Sequence, residues 1–114
     1  MEKKMALSGL SALAQETRLD IFRLLVERGP SGLAAGKIAT RIGLPAATLS
    51  FHLKELRSAG LITCRRTGRS LIYAADFHAI RGLVGYLTEN CCREGCAAPA
   101  TVASAAAPLE EKQT

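Results

Sequence analysis

Residues 44–62 read LPAATLSFHLKELRSAGLI, which is the pattern of a helix held against a domain along one side. A corner at residues 43–45 precedes this helix and Gly60 ends it, so we expect it over residues 46–59. Three leucines recur at i, i+4 and i+7 and share one helix face: Leu49, Leu53 and Leu56. That face is predicted to pack into the core, and the opposite face is predicted to lie in solvent.

A shorter helix is expected just before this one, from Ala35 to Ile42, because Ile38 and Ile42 lie one helical turn apart. Two short helices joined by a glycine corner, the second apolar on one side only, are typical of a helix-turn-helix. An exposed helix of small and polar residues fits a DNA major groove about 12 Å wide, so we interpret the second helix as a recognition helix. A solvated helix face without a partner is the alternative. The candidate DNA contacts on the outer face and its flanks are Ala47, Thr48, Ser50, Phe51, His52 and Lys54.

A β-hairpin is predicted directly after the recognition helix. LITCRR at 61–66 and SLIYAA at 70–75 are short β-prone runs on either side of the glycine-containing turn at 67–69. Such a hairpin can act as a wing that straddles the DNA backbone or enters the minor groove. The predicted fold is mainly α with a small β-hairpin, a winged helix-turn-helix. Three arginines crowd the tip of the wing and are its candidate DNA contacts: Arg65, Arg66 and Arg69.

The first and last helices carry apolar stripes that need a facing surface. Asp76 can cap the last helix, in which apolar residues and then Cys91 recur at steps of three and four. The first helix has leucines at helical spacing, and the segment from Glu16 to Arg28 is expected to be the central helix. In so small a domain, the first helix and the last helix of a second subunit are the natural candidates to face the stripe of the last helix, which predicts a homodimer. The predicted interface residues are Leu7, Leu10, Leu13, Phe77, Ile80, Val84 and Leu87.

Length, charge and composition restrict the function. We expect residues 1–92 to form one DNA-binding and dimerisation domain, and the alanine-rich residues 93–114 to form a flexible tail that contains cysteine. A formal charge of +5 favours a polyanionic partner such as double-stranded DNA. No run approaches the roughly 20 apolar residues of a membrane span, so we expect a cytoplasmic protein. No nucleophile and base pair, phosphate-binding loop or carboxylate dyad is recognisable, and an enzyme is therefore not expected.

Three segments carry a resemblance to the ArsR/SmtB family of metal-sensing repressors. LAQETRLDIFRLL at 13–25, the stretch at 44–62 and RRTGRSLIY at 65–73 are similar to the family's second helix, recognition helix and wing. The resemblance extends over about residues 7–92. It implies a homodimer joined through the first and last helices and bound to an inverted-repeat operator upstream of resistance genes. Ser50, Phe51 and Lys54 fall where family members contact DNA, whereas Ala46 and Ala47 stand where relatives often carry Gln or Ser.

The cysteines suggest what this chain senses. Three of the four lie within six residues, at Cys91, Cys92 and Cys96, and such a cluster is typical of a metal-binding or redox-active site. Neighbouring helical residues project about 100° apart, so we expect Cys91 and Cys92 to flank one edge of the last helix, with Gly95 turning Cys96 back toward them. The cluster resembles that of an arsenic-responsive subgroup of the family. This resemblance implies a repressor that leaves its operator when As(III) or Sb(III) binds three thiolates.

Other effectors remain open at this point. Methylarsenite needs only two thiols, and soft sulfur ligands also suit Cd²⁺, Pb²⁺ or Cu⁺. Zn²⁺ would want a fourth ligand, for which His78 and solvent are the candidates. A vicinal disulfide would instead make a redox-sensing repressor, and outside the regulators a thiol oxidoreductase or metal carrier is the alternative. Cys64, beside Ile62 on a hairpin strand, is expected to be a small buried hydrophobe.

Overall fold

The computed structural model describes residues 1–95 of the chain. Within this range the predicted mainly α fold is confirmed, and no helix there combines the length and apolarity that crossing a bilayer requires. The predicted tail from residue 96 onward, including Cys96, lies outside the described residues. The elements in chain order are α1 (Lys3–Leu13), α2 (Glu16–Arg28), β1 (Leu33–Ala34), α3 (Ala35–Ile42), α4 (Ala46–Ser58), β2 (Ile62–Thr67), β3 (Ser70–Ala75) and α5 (Phe77–Thr88).

Helices α3 and α4 form the predicted helix-turn-helix. The corner between them begins at Gly43, whose φ of 81° lies in the left-handed region that glycine adopts without strain. Its N–H donates to the carbonyl of Ala39 over 2.8 Å, which closes the last turn of α3. The leucine stripe of α4 is buried as predicted, and α2 supplies Ile21, Phe22 and Leu25 to the same core.

The wing belongs to a three-stranded antiparallel sheet with strand order β1-β3-β2. Strands β2 and β3 form the predicted hairpin. Because Thr67 pairs with Ser70, the turn has two residues, 68 and 69, where the sequence predicted a turn at 67–69. Strand β1 was not predicted, because two residues are too few to show an alternating pattern. It pairs Leu33 with Tyr73 and thereby fastens the segment before the helix-turn-helix to the wing.

Gly32 allows β1 to approach β3 closely. Its φ is +73°, and a Cβ atom there would lie 2.6 Å from the carbonyl oxygen of Tyr73 and 2.8 Å from Cγ2 of Ile72. We expect Gly32→Ala to lower the free energy of unfolding by about 2 kcal/mol or more, from left-handed strain and steric overlap together. Urea denaturation measures this value.

A matched control lies four residues further on, in α3. A Cβ atom at Gly36 would meet nothing within 4 Å, so Gly36→Ala should raise the free energy of unfolding by about 0.5–1 kcal/mol through its better helix propensity. If Gly32→Ala were as stable as the wild type, the close approach of β1 to β3 would be contradicted.

Helix α1 packs through small residues rather than through its leucines. Ala6, Gly9 and Ala12 form the buried face, and a Cβ atom at Gly9 would already touch the side chains of Leu61 and Leu83. Leu7 and Leu10 are consequently turned outward. Leu13, predicted to lie at the dimer interface, is instead half-buried against the chain's own core.

Helix α5 follows the prediction at its start and departs from it at its end. The Asp76 carboxylate accepts the Ala79 N–H over 3.0 Å, which confirms the predicted cap. Phe77 and Ile80, predicted to lie at the dimer interface, are instead half-buried against the chain's own core, whereas Val84 and Leu87 are exposed. The helix ends at Thr88, so Cys91 does not continue its apolar stripe as predicted.

Candidate nucleic-acid interface and thiol cluster

Helix α4 presents a continuous outer surface, opposite its buried leucines. We call this set the DNA-facing surface: Ala47, Thr48, Ser50, Phe51 and Lys54. All five are exposed, as the helical pattern predicts. Phe51 is 56% exposed, although burying a phenylalanine side chain is worth about 1.5–3 kcal/mol. A large apolar ring among small and polar residues suits contact with a thymine methyl group, which projects into the major groove.

His52 does not belong to this surface, which corrects the prediction that it flanks the DNA-facing side. Its side chain is only 9% exposed. The reason is visible in the helical spacing, because residue 52 lies three positions after Leu49 and four before Leu56. His52 therefore shares the face of the leucine stripe, and its polar ring needs a partner inside the domain.

A polar cleft beside the DNA-facing surface was not predicted. It encloses about 380 Å³ between α4 and β3, and Arg57 and Lys54 supply positive charge to it. Arg57 could have been identified from the sequence, since it follows Lys54 by three residues and Ser50 by seven. Guanidinium, ammonium and hydroxyl groups are the donors that bind DNA phosphates. The cleft is lined by Ser50, Lys54, Arg57, Ser58 and Tyr73.

Tyr73 contributes a phenol to this cleft and lies opposite Cys64 in the hairpin register. Partial burial raises the pKa of Tyr73, a hydrogen bond with the Cys64 thiol raises it further, and the positive charge of Arg57 acts in the opposite direction. The phenol therefore stays protonated at neutral pH and can donate a hydrogen bond. Cys64 is half-buried and hydrogen-bonded, so it is less enclosed than the buried hydrophobe that the sequence predicts.

The three wing arginines are exposed, but they do not form one cluster. Successive residues of a strand point to opposite faces, so Arg65 and Arg66 leave the hairpin on opposite sides. Arg65 donates from Nη2 to the carbonyl of Ser31 over 2.9 Å, which ties the wing to the turn before β1. Arg69 lies in the two-residue turn at the tip. Arg66 and Arg69 are therefore better placed than Arg65 to contact a DNA backbone.

Replacing a wing arginine should reduce the salt dependence of operator binding. The slope of log affinity against log salt concentration is negative. We expect Arg66→Ala and Arg69→Ala each to reduce its magnitude by about one for each phosphate that the variant no longer binds. Arg65→Ala should have a smaller effect, because its guanidinium is engaged by Ser31. The measurement is fluorescence anisotropy of a labelled operator at several salt concentrations.

The control for this series is Arg23→Ala, which removes another exposed arginine, from α2. It should leave the slope unchanged, so that a lower net charge is distinguished from the removal of a group that binds phosphate. An unchanged slope for all three wing variants would argue against a wing that touches DNA.

The vicinal cysteines lie on tight turns beyond α5, not on the helix edge that was predicted. Three backbone hydrogen bonds mark these turns, from Cys91 N–H to Thr88, from Arg93 N–H to Asn90 and from Gly95 N–H to Cys92. Asn90 and Cys92 have φ values of 63° and 62°, a conformation that asparagine tolerates and that strains other side chains. This path brings the Sγ atoms of Cys91 and Cys92 to 3.0 Å, with both residues exposed.

The described residues account for only part of the predicted metal site. Cys96 lies outside them, and within residues 1–95 no three His, Cys, Asp or Glu side chains are grouped as metal ligands. His78 belongs to the first turn of α5, and the ten residues of helix that follow it span about 15 Å. His78 therefore cannot join Cys91 and Cys92 as a fourth ligand within one subunit, which leaves solvent as the fourth zinc ligand considered above.

Comparisons with known proteins place this architecture among transcription regulators. A family model described as a helix-turn-helix domain matches residues 13–65, from the end of α1 into β2. The nodulation protein NolR of Rhizobium meliloti is 32% identical over 88 residues, which are 77% of this chain and 70% of NolR. This relative shares more than the recognition helix, because the alignment covers most of both proteins.

Solved structures agree with this assignment. An ArsR-like transcriptional regulator from Rhodococcus sp. RHA1 superposes with a TM-score of 0.68 at 26% identity, over 80% of this chain and 82% of that one. The homodimeric winged helix-turn-helix DNA-binding domain of Mb0332 from Mycobacterium bovis gives 0.62 at 30% identity, with 80% and 84% covered. A possible transcriptional regulator for arsenical resistance gives 0.60 at 28% identity, with 70% and 80% covered. The chain belongs to the ArsR family of winged helix-turn-helix transcriptional regulators.

Proposed function

We propose that this chain is a homodimeric repressor that binds an inverted-repeat operator and leaves it when trivalent arsenic or antimony binds Cys91, Cys92 and Cys96. The observation that carries the arsenic assignment is the exposed pair of thiols, whose Sγ atoms lie 3.0 Å apart directly after α5. Two sulfur atoms at that separation can bind one soft ion without a change of fold. Cys96, four residues after Cys92, is available in the sequence as the third ligand.

The ligand chemistry fits a three-thiol site. Arsenite at neutral pH is As(OH)₃, and each thiol that binds replaces one hydroxyl group, forming an As–S bond and releasing water. The lone pair on arsenic leaves a pyramidal complex with three sulfur ligands. Zinc prefers four ligands in a tetrahedron, and His78 is too far along α5 to supply the fourth. A thiol cluster with three ligands therefore favours arsenic or antimony over zinc.

Methylarsenite is the second candidate effector, because it exchanges only two hydroxyl groups for sulfur. The closeness of Cys91 and Cys92 favours it, since these two thiols would suffice. Cd²⁺, Pb²⁺ and disulfide formation between the two cysteines are the remaining alternatives for the same site. All of them leave the DNA-binding half of the proposal unchanged.

The operator-binding half rests on surfaces of α4, the wing, α1 and α5. The DNA-facing surface, Arg66 and Arg69 are all exposed, and they offer hydrogen-bond donors and an apolar contact for a thymine methyl group. Met5, Leu7 and Leu10 of α1 and Val84 and Leu87 of α5 are exposed, although large apolar side chains in such number are usually covered. A second subunit would cover them, and the related domain from M. bovis is homodimeric. Such a repressor would act in the cytoplasm, where the DNA is.

Titration of the reduced, full-length protein tests the effector. Arsenite, antimonite, methylarsenite, Zn²⁺ and Cd²⁺ are added in separate calorimetric experiments, and operator affinity is measured at saturation. We expect arsenite and antimonite to bind with one ion per cluster and to weaken operator binding by about 5–150-fold, the usual range of allosteric coupling. If none of the five changes operator affinity, the proposed sensing function is wrong.

A further inference from the structure

His52 is the buried polar residue of the recognition helix, and an arginine from another helix lies within hydrogen-bonding distance of its ring. Its Nδ1 lies 3.3 Å from Nη1 of Arg18. A guanidinium can only donate hydrogen bonds, so Nδ1 is the acceptor and the ring proton lies on Nε2. The rings of Phe51 and His52 also make an edge-to-face contact, with their centroids 5.6 Å apart. The orientation of His52 thus affects the residue beside it on the DNA-facing surface.

Arg18 connects three helices through one side chain. It lies in the first turn of α2, where its backbone N–H donates to Oε1 of Gln15 over 2.8 Å. Its Nε donates over 2.8 Å to the carbonyl of Ala12, one of the last carbonyls of α1, which no longer has a helical partner. The remaining nitrogen, Nη1, reaches His52 in α4. The end of α1 and the middle of the recognition helix are therefore held by the same planar group.

The space beside this contact is not filled by apolar packing. A cavity of about 170 Å³ lies between α1 and α4, and it is lined by Ser8, Ser11, Ala12, Arg18, Glu55, Ser58 and Ala59. Four of these side chains are hydroxyls or charged groups, besides Arg18 itself. Close-packed apolar side chains would fix the angle between two helices by themselves. Ala12 of α1 and Leu53 and Leu56 of α4 meet in the apolar core, whereas on this side the two helices are joined by the hydrogen bonds of Arg18.

We propose that Arg18 is a positioning residue that sets the angle of the recognition helix relative to α1 and, in the dimer, the separation of the two recognition helices. The proposal rests on the dimerisation through α1 and α5 proposed above. Half-sites of an operator lie about 34–36 Å apart, so a small error in helix angle at each subunit prevents both helices from entering their grooves together. Arg18 would therefore act on the spacing of half-sites, without touching DNA.

The test compares binding to two half-sites with binding to one. An operator is first selected from random-sequence duplexes with the wild-type protein. In one derivative of it, one half-site is scrambled. In a second set of derivatives, the spacing between the half-sites is changed by one base pair. Arg18→Lys keeps the positive charge and loses the planar fork, so a change in net charge cannot explain its effect. His52→Leu removes the acceptor from the other side of the contact, and His52→Asn restores an acceptor near Nδ1.

We expect Arg18→Lys and His52→Leu to weaken binding to the full operator by about tenfold, within the range of hydrogen-bonded pairs, and to change binding to the single half-site by less than about twofold. Both should tolerate altered spacing better than the wild type, and the double variant should be no worse than either single one. His52→Asn should recover most of the loss. Arg28→Lys is the matched control, because Arg28 also donates from Nε to a backbone carbonyl, that of Gly32, without reaching α4.

The outcomes separate this inference from the proposed function. A wild-type protein that binds the full operator no better than a single half-site would contradict the dimeric repressor and the inference with it. A second result is that the wild type binds the full operator more tightly than a single half-site while Arg18→Lys keeps the same affinity and the same spacing preference. That result would overturn the inference and leave the dimeric repressor standing. Equal losses on the full operator and the half-site would show that Arg18 only stabilises the fold, which also overturns it.

Discussion

Leu87→Glu is expected to dissociate the dimer and to abolish tight operator binding. Leu87 is 58% exposed and lies one helical turn from Val84, which is 54% exposed, on the outer side of α5. In a symmetric dimer each substitution acts twice, because the same patch is used by both subunits. Burying a carboxylate without a partner costs several kcal/mol, which exceeds what the exposed face of a short helix can supply. Sedimentation velocity at micromolar concentration measures the dissociation.

The matched control is Leu19→Glu on α2. Leu19 is 41% exposed and belongs to no predicted interface, so its substitution makes the same chemical change on a different face. This variant should remain dimeric and should bind operator as the wild type does. A wild-type protein that sediments as a monomer at micromolar concentration would contradict the proposed interface, and so would a Leu87→Glu variant that stays dimeric.

The weaker operator binding of Leu87→Glu follows from the absence of a second bound half-site. A monomer carries one recognition helix and one wing, and it retains the salt-dependent attraction of its basic surface for any DNA. It cannot bind two half-sites at the same time. In the dimer, simultaneous binding of both half-sites raises overall affinity by about 10²–10⁴ when the geometry allows both contacts. The residual binding should therefore be weak and largely independent of sequence.

The helices were predicted well where their ends have local signals. The predicted bounds of α2 and α3 agree with the structure, because turn residues follow each helix. The Asp76 cap was recognised for the same reason, since a carboxylate at that position accepts an N–H two or three residues later. Strand β1 had no such signal, because it is defined by pairing with Tyr73 and Ile72, which are distant in sequence.

The interface and the cysteine turn show why part of the site could not be predicted. Spacing places Leu7, Leu10 and Leu13 close together on a helix, but it does not say that the small face of α1 packs inward. The end of α5 was missed although Asn90 offered a signal, since asparagine often takes the left-handed position after a helix. His52 was predicted to flank the DNA-facing side because it is polar. Its helical position beside Leu49 and Leu56 instead places it on the buried face.

Replacing any cysteine of the cluster is expected to leave operator binding intact and to abolish the release of operator by arsenite. Cys91→Ser, Cys92→Ser and Cys96→Ser should bind operator with wild-type affinity, because none of the three cysteines belongs to the sequence of the recognition helix or the wing. In the presence of arsenite they should stay bound, since a hydroxyl replaces one of three sulfur ligands. The wild type should lose about 5–150-fold in operator affinity under the same conditions.

Cys64→Ser is the matched control for the removal of a thiol. Cys64 lies on β2 and hydrogen-bonds Tyr73, so it has no part in the cluster, and this variant should still release operator in arsenite. Methylarsenite distinguishes the number of ligands. If Cys96→Ser still releases DNA with methylarsenite, while Cys91→Ser and Cys92→Ser do not, the sensor uses the vicinal pair alone.

Linkage gives this prediction a second, independent measurement. If arsenic weakens operator binding by a given factor, the operator must weaken arsenic binding by the same factor. The proposed route is the end of α5, where drawing Cys96 onto Cys91 and Cys92 would reshape the turns that follow Thr88 and shift the exposed face that includes Leu87. Calorimetric titration of the protein with arsenite, with and without operator, should therefore return the coupling found in the DNA-binding experiment. Release of operator by arsenite in all three cysteine variants would show that the cluster is not the sensor.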